Sequence, residues 1–125
     1  MRVADTSVLY ALFSEEDRFH DGAVNDVSSS DPVAVPSEIL VETIDLLAYR
    51  FGVCAGKKAL DFLLKLPHVS IAEKVEFGAV KGIHDGAKGE LSLADAFVVQ
   101  ICAALGAGVL AYDGRIVAEL RKRRS

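Results

Sequence analysis

The sequence of 125 residues contains only two cysteines and three prolines, and it has no tryptophan. Two cysteines cannot build a disulfide framework, and neither Cys54 nor Cys102 belongs to a C-x-x-C pair, which excludes a zinc ribbon. The longest apolar stretch, residues 94–110, is interrupted by Asp95 and Gln100 and falls short of the roughly 18–20 residues that cross a bilayer. No charged start precedes an apolar run, so no signal peptide is visible. We therefore expect a soluble cytoplasmic protein without membrane contact.

Basic charge is scarce as well. Lys and Arg number 14 against 18 Asp and Glu, which gives a net charge of −4. This charge argues against a protein that binds duplex DNA through an extensive basic surface. Hydrophobic residues make up 51% and charged residues 26%, a composition that excludes a disordered chain. The length suits one domain, predicted to span residues 1–125.

Several catalytic motifs are missing too. His20, His68 and His84 show no H-x-x-x-H or H-E-x-x-H spacing, which gives zinc chemistry little support. No G-x-S-x-G segment indicates a serine nucleophile, and no glycine-rich phosphate loop opens a helix.

Short strand patterns alternate with longer helical patterns along the chain. The predicted strands cover residues 2–5, 33–35, 68–71 and 108–111, and the predicted helices cover residues 6–14, 17–27, 36–49, 55–66, 73–87, 93–105 and 116–122. This alternation predicts an α/β fold with a parallel sheet covered on both faces. Ligands of such sheets bind beyond the carboxyl ends of the strands.

Four acids lie in apolar surroundings and are candidates for such a ligand site. Asp5 and Asp113 each follow a predicted strand, Glu42 lies beside the apolar stripe of a helix, and Asp95 starts the most apolar helix. Buried carboxylates that share a site repel each other unless a cation neutralises them. Mg²⁺ and Mn²⁺ prefer such oxygen ligands, and a site of this kind suits phosphodiester hydrolysis.

Each acid also has a simpler interpretation. Asp5 and Asp113 can cap the helices that follow them, and Asp113-Gly114 is a common turn pair. Asp95 with Ser92 fits a variant of the capping box, and Glu42 can be a solvated helix residue.

Four segments resemble the motifs of PIN-domain ribonucleases: VADTSVL at residues 3–9, PSEILVE at 36–42, LSLADA at 91–96 and LAYD at 110–113. Their order and the chain length are similar to those of the compact VapC-type toxins. The resemblance implies a three-layer α/β/α sandwich with a parallel sheet of four to five strands. It also implies that Asp5, Glu42, Asp95 and Asp113 bind Mg²⁺ or Mn²⁺, with Thr6 or Ser7 supporting them by hydrogen bonds.

The same resemblance implies an endoribonuclease that acts on RNA, held by a small antitoxin protein and forming a homodimer. The fourth motif departs from the family pattern, because Ala111 stands where Thr or Ser is common and no second acid or Asn lies nearby. This departure keeps open the alternative of a non-catalytic PIN-like module that binds RNA or protein. A flavodoxin-like phosphoacceptor is disfavoured, because no Lys follows the last strand.

Two further features have both a functional and a structural interpretation. The basic run at residues 121–124 either contacts RNA phosphates or forms a solvated helix end. Glu38 lies one helical turn before Glu42 and is expected to face water.

Overall fold

The four strands of this computed structural model are short and form one parallel sheet; the structure describes residues 1–29, 31–112 and 114–124. The strands are β1 (Arg2–Ala4), β2 (Val33–Pro36), β3 (Val69–Ala72) and β4 (Gly108–Leu110). They are rich in Val, Ile and Ala, and β2 is buried along its whole length. Strands buried on both faces are expected where helices cover a parallel sheet.

Two helices separate each pair of successive strands in the part of the chain that the structure describes, and a further helix follows β4. The helices are α1 (Thr6–Phe13), α2 (His20–Ser28), α3 (Ser37–Phe51), α4 (Val53–Lys65), α5 (Phe77–Gly86), α6 (Leu93–Leu105) and α7 (Gly114–Arg124). The predicted order of strands and helices is therefore confirmed.

The sheet has the strand order β3-β2-β1-β4, and every neighbouring pair is parallel. Ala4 at the end of β1 pairs with Leu110 at the end of β4, and Pro36 at the end of β2 pairs with Ala72. All four strands thus end at one edge of the sheet. The residues that follow β1 and β4 lie side by side at that edge.

Connections between parallel strands are right-handed almost without exception, and this rule together with the strand order accounts for the three layers. The chain moves from β1 to β2 to β3 through α1–α4, which covers one face, and returns from β3 to β4 through α5 and α6, which covers the other. Helix α6 contacts β1, β2 and β4, and α7 packs on α6. The direction of the connections reverses between β1 and β4, and ligands of open α/β sheets bind at such a point.

One core fills the space between the layers. Its largest fully buried side chains include Leu9, Ile39, Leu63 and Ile116, which come from helices on both faces of the sheet. The predicted fold class, an α/β/α sandwich, is confirmed, with four strands rather than five in the part of the chain that the structure describes.

Two helices begin three or four residues later than predicted. Helix α2 starts at His20 instead of residue 17, because the Asp17 side chain accepts a hydrogen bond from the Phe19 N–H and closes a turn there. Helix α5 starts at Phe77 instead of residue 73, because β3 extends to Ala72, residues 73–76 form neither helix nor strand, and Glu76 is extended. Within the described residues, no helix is long and apolar enough to cross a membrane.

Candidate active site

Asp5 stands at the end of β1, where the chain turns from the sheet into α1. Its side chain is only 5% exposed. Its Oδ1 accepts hydrogen bonds from the Val8 N–H (3.2 Å) and from the Ser7 hydroxyl (2.6 Å), so Asp5 is the N-cap of α1. The predicted capping role is confirmed. The predicted support from Ser7 is confirmed as well.

The electrostatics of Asp5 are unusual for a helix cap. Burial raises the pKa of its carboxyl, the hydrogen bonds from Ser7 and Val8 lower it, and the negative charge of Asp95 raises it further. The net result is a pKa above the ordinary value of 3.8. Among the described residues, no ion pair with Lys or Arg neutralises this carboxylate. A cation placed beside Asp5 would therefore offset the energetic cost of burying its charge and the repulsion from Asp95.

Asp95 begins α6 and belongs to a complete capping box. Its N–H donates to the Ser92 hydroxyl (3.1 Å), and its Oδ2 accepts from the Ser92 N–H (3.2 Å). The same carboxylate acts electrostatically on Asp5 across 90 residues of sequence. Capping and proximity to Asp5 are therefore compatible, because the cap orients Asp95 at the sheet edge where Asp5 lies.

Glu42 is exposed on α3 but is not a free solvated side chain. The Thr6 hydroxyl donates a hydrogen bond of 2.7 Å to its Oε1. Thr6 directly follows Asp5, so this bond holds the second predicted acid beside the segment that carries the first. Thr6 and Ser7 were both candidates for supporting the site, and each of them holds a different acid: Thr6 bonds Glu42 and Ser7 bonds Asp5.

Asp113, the fourth predicted acid, lies outside the described residues. The preceding residue, Tyr112, is tied to the first motif, because its N–H donates to the Ser7 hydroxyl oxygen at 3.3 Å. Its phenol donates to Asp26 Oδ2 at 3.2 Å. Burial, this hydrogen bond and nearby acids including Asp5 raise the pKa of Tyr112 to about 12, so the phenol stays neutral.

Glu38 differs from its expectation. Glu38 is half-buried, and its Oε2 is buried without a hydrogen-bond partner among the described residues, whereas its sequence position predicted a side chain that faces water. Glu38 and Glu42, one turn apart on α3, line the same pocket of about 350 Å³ together with Ser37 and Val41. The four-residue spacing was the available signal, since it places two acids on one helix face.

The donors at this edge are suited to a hard cation. Asp5, Asp95 and Glu42 offer carboxylate oxygens, the ligands that Mg²⁺ and Mn²⁺ prefer. The buried Oε2 of Glu38 adds a carboxylate oxygen without a hydrogen-bond partner among the described residues. Within residues 1–29, 31–112 and 114–124, however, no three acidic, His or Cys side chains lie close enough together to hold an ion. The structure brings Asp95 near Asp5 and ties Glu42 to Thr6, while Asp113 is outside the description.

A family model described as the PIN domain matches residues 2–122. The chain belongs to the PIN-domain family. Among solved structures, this PIN domain is similar to VapC20 of Mycobacterium tuberculosis, a toxin that cleaves the sarcin–ricin loop. The TM-score is 0.79 at 25% identity, and the match covers 94% of each chain.

These findings confirm the family and the fold class that the motifs predicted, and they favour a nuclease over the non-catalytic alternative. Among curated proteins, none matches the sequence of this chain at a significant level of similarity.

Proposed function

We propose that this PIN domain is an endoribonuclease that hydrolyses RNA phosphodiester bonds and serves as the toxin of a toxin–antitoxin pair. The observation that carries the proposal is the buried carboxylate of Asp5 at the point where the connections of the sheet reverse; burial raises its pKa, and the negative charge of Asp95 adds to the rise. The similarity to VapC20, a toxin that cleaves the sarcin–ricin loop, supports the choice of RNA as substrate.

The proposal assigns Asp5, Glu42, Asp95 and Asp113 to holding Mg²⁺ or Mn²⁺. A bound divalent cation would supply positive charge for the phosphate and lower the pKa of water for attack. Ser7 orients Asp5 and Thr6 orients Glu42, through the hydrogen bonds of 2.6 Å and 2.7 Å. Because the Asp5 pKa is raised, cation binding has to compete with a proton there, and affinity should fall at acid pH.

The assignment predicts that Asp5→Asn and Asp95→Asn each lower RNA cleavage at least about 100-fold, the range seen when a preorganised charge is lost from an active site. Cleavage of a labelled stem-loop RNA with Mn²⁺ is the measurement. Asp61→Asn is a matched control: it removes an exposed acid in the second half of α4, whose end leads to the opposite edge of the sheet.

Calorimetric titration with Mn²⁺ separates the two candidate functions. The nuclease proposal expects the wild type and Asp61→Asn to bind the ion and the Asp5 and Asp95 variants to bind it weakly. Cleavage that survives in folded Asp5→Asn and Asp95→Asn would refute the site. A protein that binds RNA but neither binds Mn²⁺ nor cleaves RNA would establish the non-catalytic module instead.

The proposal extends to partners and place of action. We propose a cytoplasmic protein that forms a homodimer and is held by a small antitoxin. Exposed apolar side chains on α3 and α4 support protein partners, among them Tyr49, Phe51, Val53 and Phe62, which are 89%, 50%, 64% and 48% exposed.

A further inference from the structure

Tyr112, the aromatic residue of the fourth motif, is part of a stack that ends in an exposed cation. The Tyr112 ring stacks on the Phe19 ring, with centroids 4.5 Å apart and an angle of 23° between the planes. The Arg18 guanidinium carbon lies 4.5 Å from the centroid of the same Phe19 ring. Arg18 is exposed, whereas Phe19 and Tyr112 are half-buried. The contacts thus fix a positive charge at the surface.

This stack is joined to the acid site by hydrogen bonds. Tyr112 donates its N–H to Ser7, and Ser7 donates its hydroxyl to Asp5. The Tyr112 phenol is anchored on the other side by Asp26 of α2. A continuous series of contacts therefore leads from the Asp5 carboxylate to the Arg18 guanidinium, along the β4 side of the carboxyl edge.

An acid-lined site in a protein of net charge −4 repels RNA, so binding needs local cations. Arg guanidinium groups bind phosphates through several donors and stack on aromatic rings, and a stacked guanidinium is already oriented. Arg2 cannot supply this charge at the carboxyl edge, because it starts β1 at the opposite edge and donates to the Asp26 carbonyl.

We propose that Arg18 is a substrate-binding residue of this PIN domain that contacts an RNA phosphate flanking the bond to be cut. Phe19 and Tyr112 are the positioning residues that hold its guanidinium beside the acid site. The inference rests on the proposed function for its RNA substrate, and it adds a residue that would compensate part of the acidic charge of the site.

The chain offers a matched control in a second cation–π pair. The Arg50 guanidinium carbon lies 5.9 Å from the centroid of the Tyr10 ring. Arg50 stands in the last turn of α3, eight residues beyond Glu42, or about 12 Å further along the helix at 1.5 Å per residue. Arg50→Ala therefore removes the same charge and the same kind of contact away from the proposed cleft.

The first measurement is the affinity for a fluorescein-labelled stem-loop RNA in EDTA at several KCl concentrations, followed by anisotropy. Arg18→Ala is expected to weaken binding about tenfold, which corresponds to about 1.4 kcal/mol. One lost phosphate contact should also make the salt dependence less steep by about 0.7 to 0.9 in log–log slope. Arg50→Ala should match the wild type in affinity and slope, and Arg18→Lys should recover part of the affinity.

The second measurement concerns Phe19 and cleavage with Mn²⁺. Phe19→Leu should raise KM with kcat nearly unchanged, and Phe19→Tyr, which keeps the aromatic face, should restore KM. A merely structural role of Phe19 would lower the melting temperature without this division between KM and kcat. Circular dichroism and thermal unfolding check the fold of each variant.

The outcomes separate this inference from the proposed function. If the wild type cleaves RNA while Arg18→Ala binds as the wild type does, the inference is wrong and the nuclease stands. If RNA binding depends on Arg18 but no metal supports cleavage, the nuclease is wrong and the binding role stands. Absence of RNA binding by the wild type, or equal losses in Arg18→Ala and Arg50→Ala, would overturn the inference.

Discussion

Asp5 combines two demands that ordinarily fall on different residues. As the N-cap of α1 it accepts hydrogen bonds from Ser7 and Val8, and as a proposed metal ligand it would have to remain charged in a buried place. Burial is the largest influence on its pKa and raises it, and Asp95 adds to the rise. The protein thus keeps a carboxylate that costs stability in the absence of a cation, which is common at functional sites.

Asp5→Asn is predicted to raise the stability of the metal-free protein at pH 7. The folded-state pKa of Asp5 is raised, so the proton stabilises the fold below the ordinary pKa of 3.8, and this stability is lost as pH rises through the folded-state pKa. Asn caps helices about as well as Asp and carries no charge. Thermal unfolding in EDTA should show a higher Tm for the variant at pH 7 and no difference below the ordinary pKa.

Asp5→Ala is the comparison that isolates the cap. It removes the charge and the acceptor together, and it should be less stable than Asp5→Asn by about 1 kcal/mol at every pH. An Asp5→Asn protein that melts below the wild type at pH 7 would contradict the view that the buried charge is costly.

At the scale of elements, helix ends were predictable where side chains supply the cap. The predicted bounds of α6, residues 93–105, are confirmed because Ser92 and Asp95 form a capping box and Gly106 ends the helix in the left-handed region at φ 61°. The start of α5 was wrong by four residues. No side chain caps the start of α5, so no local residue marked where β3 and the segment after it end and the helix begins.

Two glycines with opposite roles give a prediction about these helices. An added Cβ would meet no atom within 4 Å at either Gly82 or Gly106, so packing does not distinguish them. Gly82→Ala lies inside α5 and should stabilise the protein by about 0.5–1 kcal/mol. Gly106→Ala must hold a positive φ and should destabilise it by about 1–2 kcal/mol. Urea unfolding measures both, and equal effects would contradict the assigned backbone roles.

At the scale of the whole molecule, the apolar surface of α3 and α4 requires an explanation. Tyr49 and Val53 are 89% and 64% exposed, close to the junction of these helices. Exposed apolar side chains that lie together mark contact surfaces more often than singly scattered ones do. The proposed homodimer would bury part of such a surface.

Sedimentation velocity is expected to give twice the 13.4 kDa mass of one chain. Because apolar contacts are not screened by ions, the dimer should persist when the NaCl concentration is raised, unlike an association through charged side chains. A monomer throughout the micromolar range would contradict the proposed dimer. Dissociation by salt alone would show that apolar burial does not hold the subunits together.

The sequence alone determined the order of the elements and the candidate acids. Apolar periodicity and capping residues act over a few positions, so they indicate α6, the four strands and the placement of Asp5 and Asp113 after strands. Asp5, Asp95 and Glu42 interact with each other or with Thr6 at one edge of the sheet. The sequence could not predict these partners or the buried oxygen of Glu38.

Only the tertiary structure decided which distant residues meet. Thr6 bonds Glu42 across 36 residues, and Tyr112 bonds Asp26 across 86. Such pairs depend on strand order, on the register of Ala4 with Leu110, and on the faces that the crossovers cover. Local propensity carries no information about these choices, because burial and packing of the complete chain determine them.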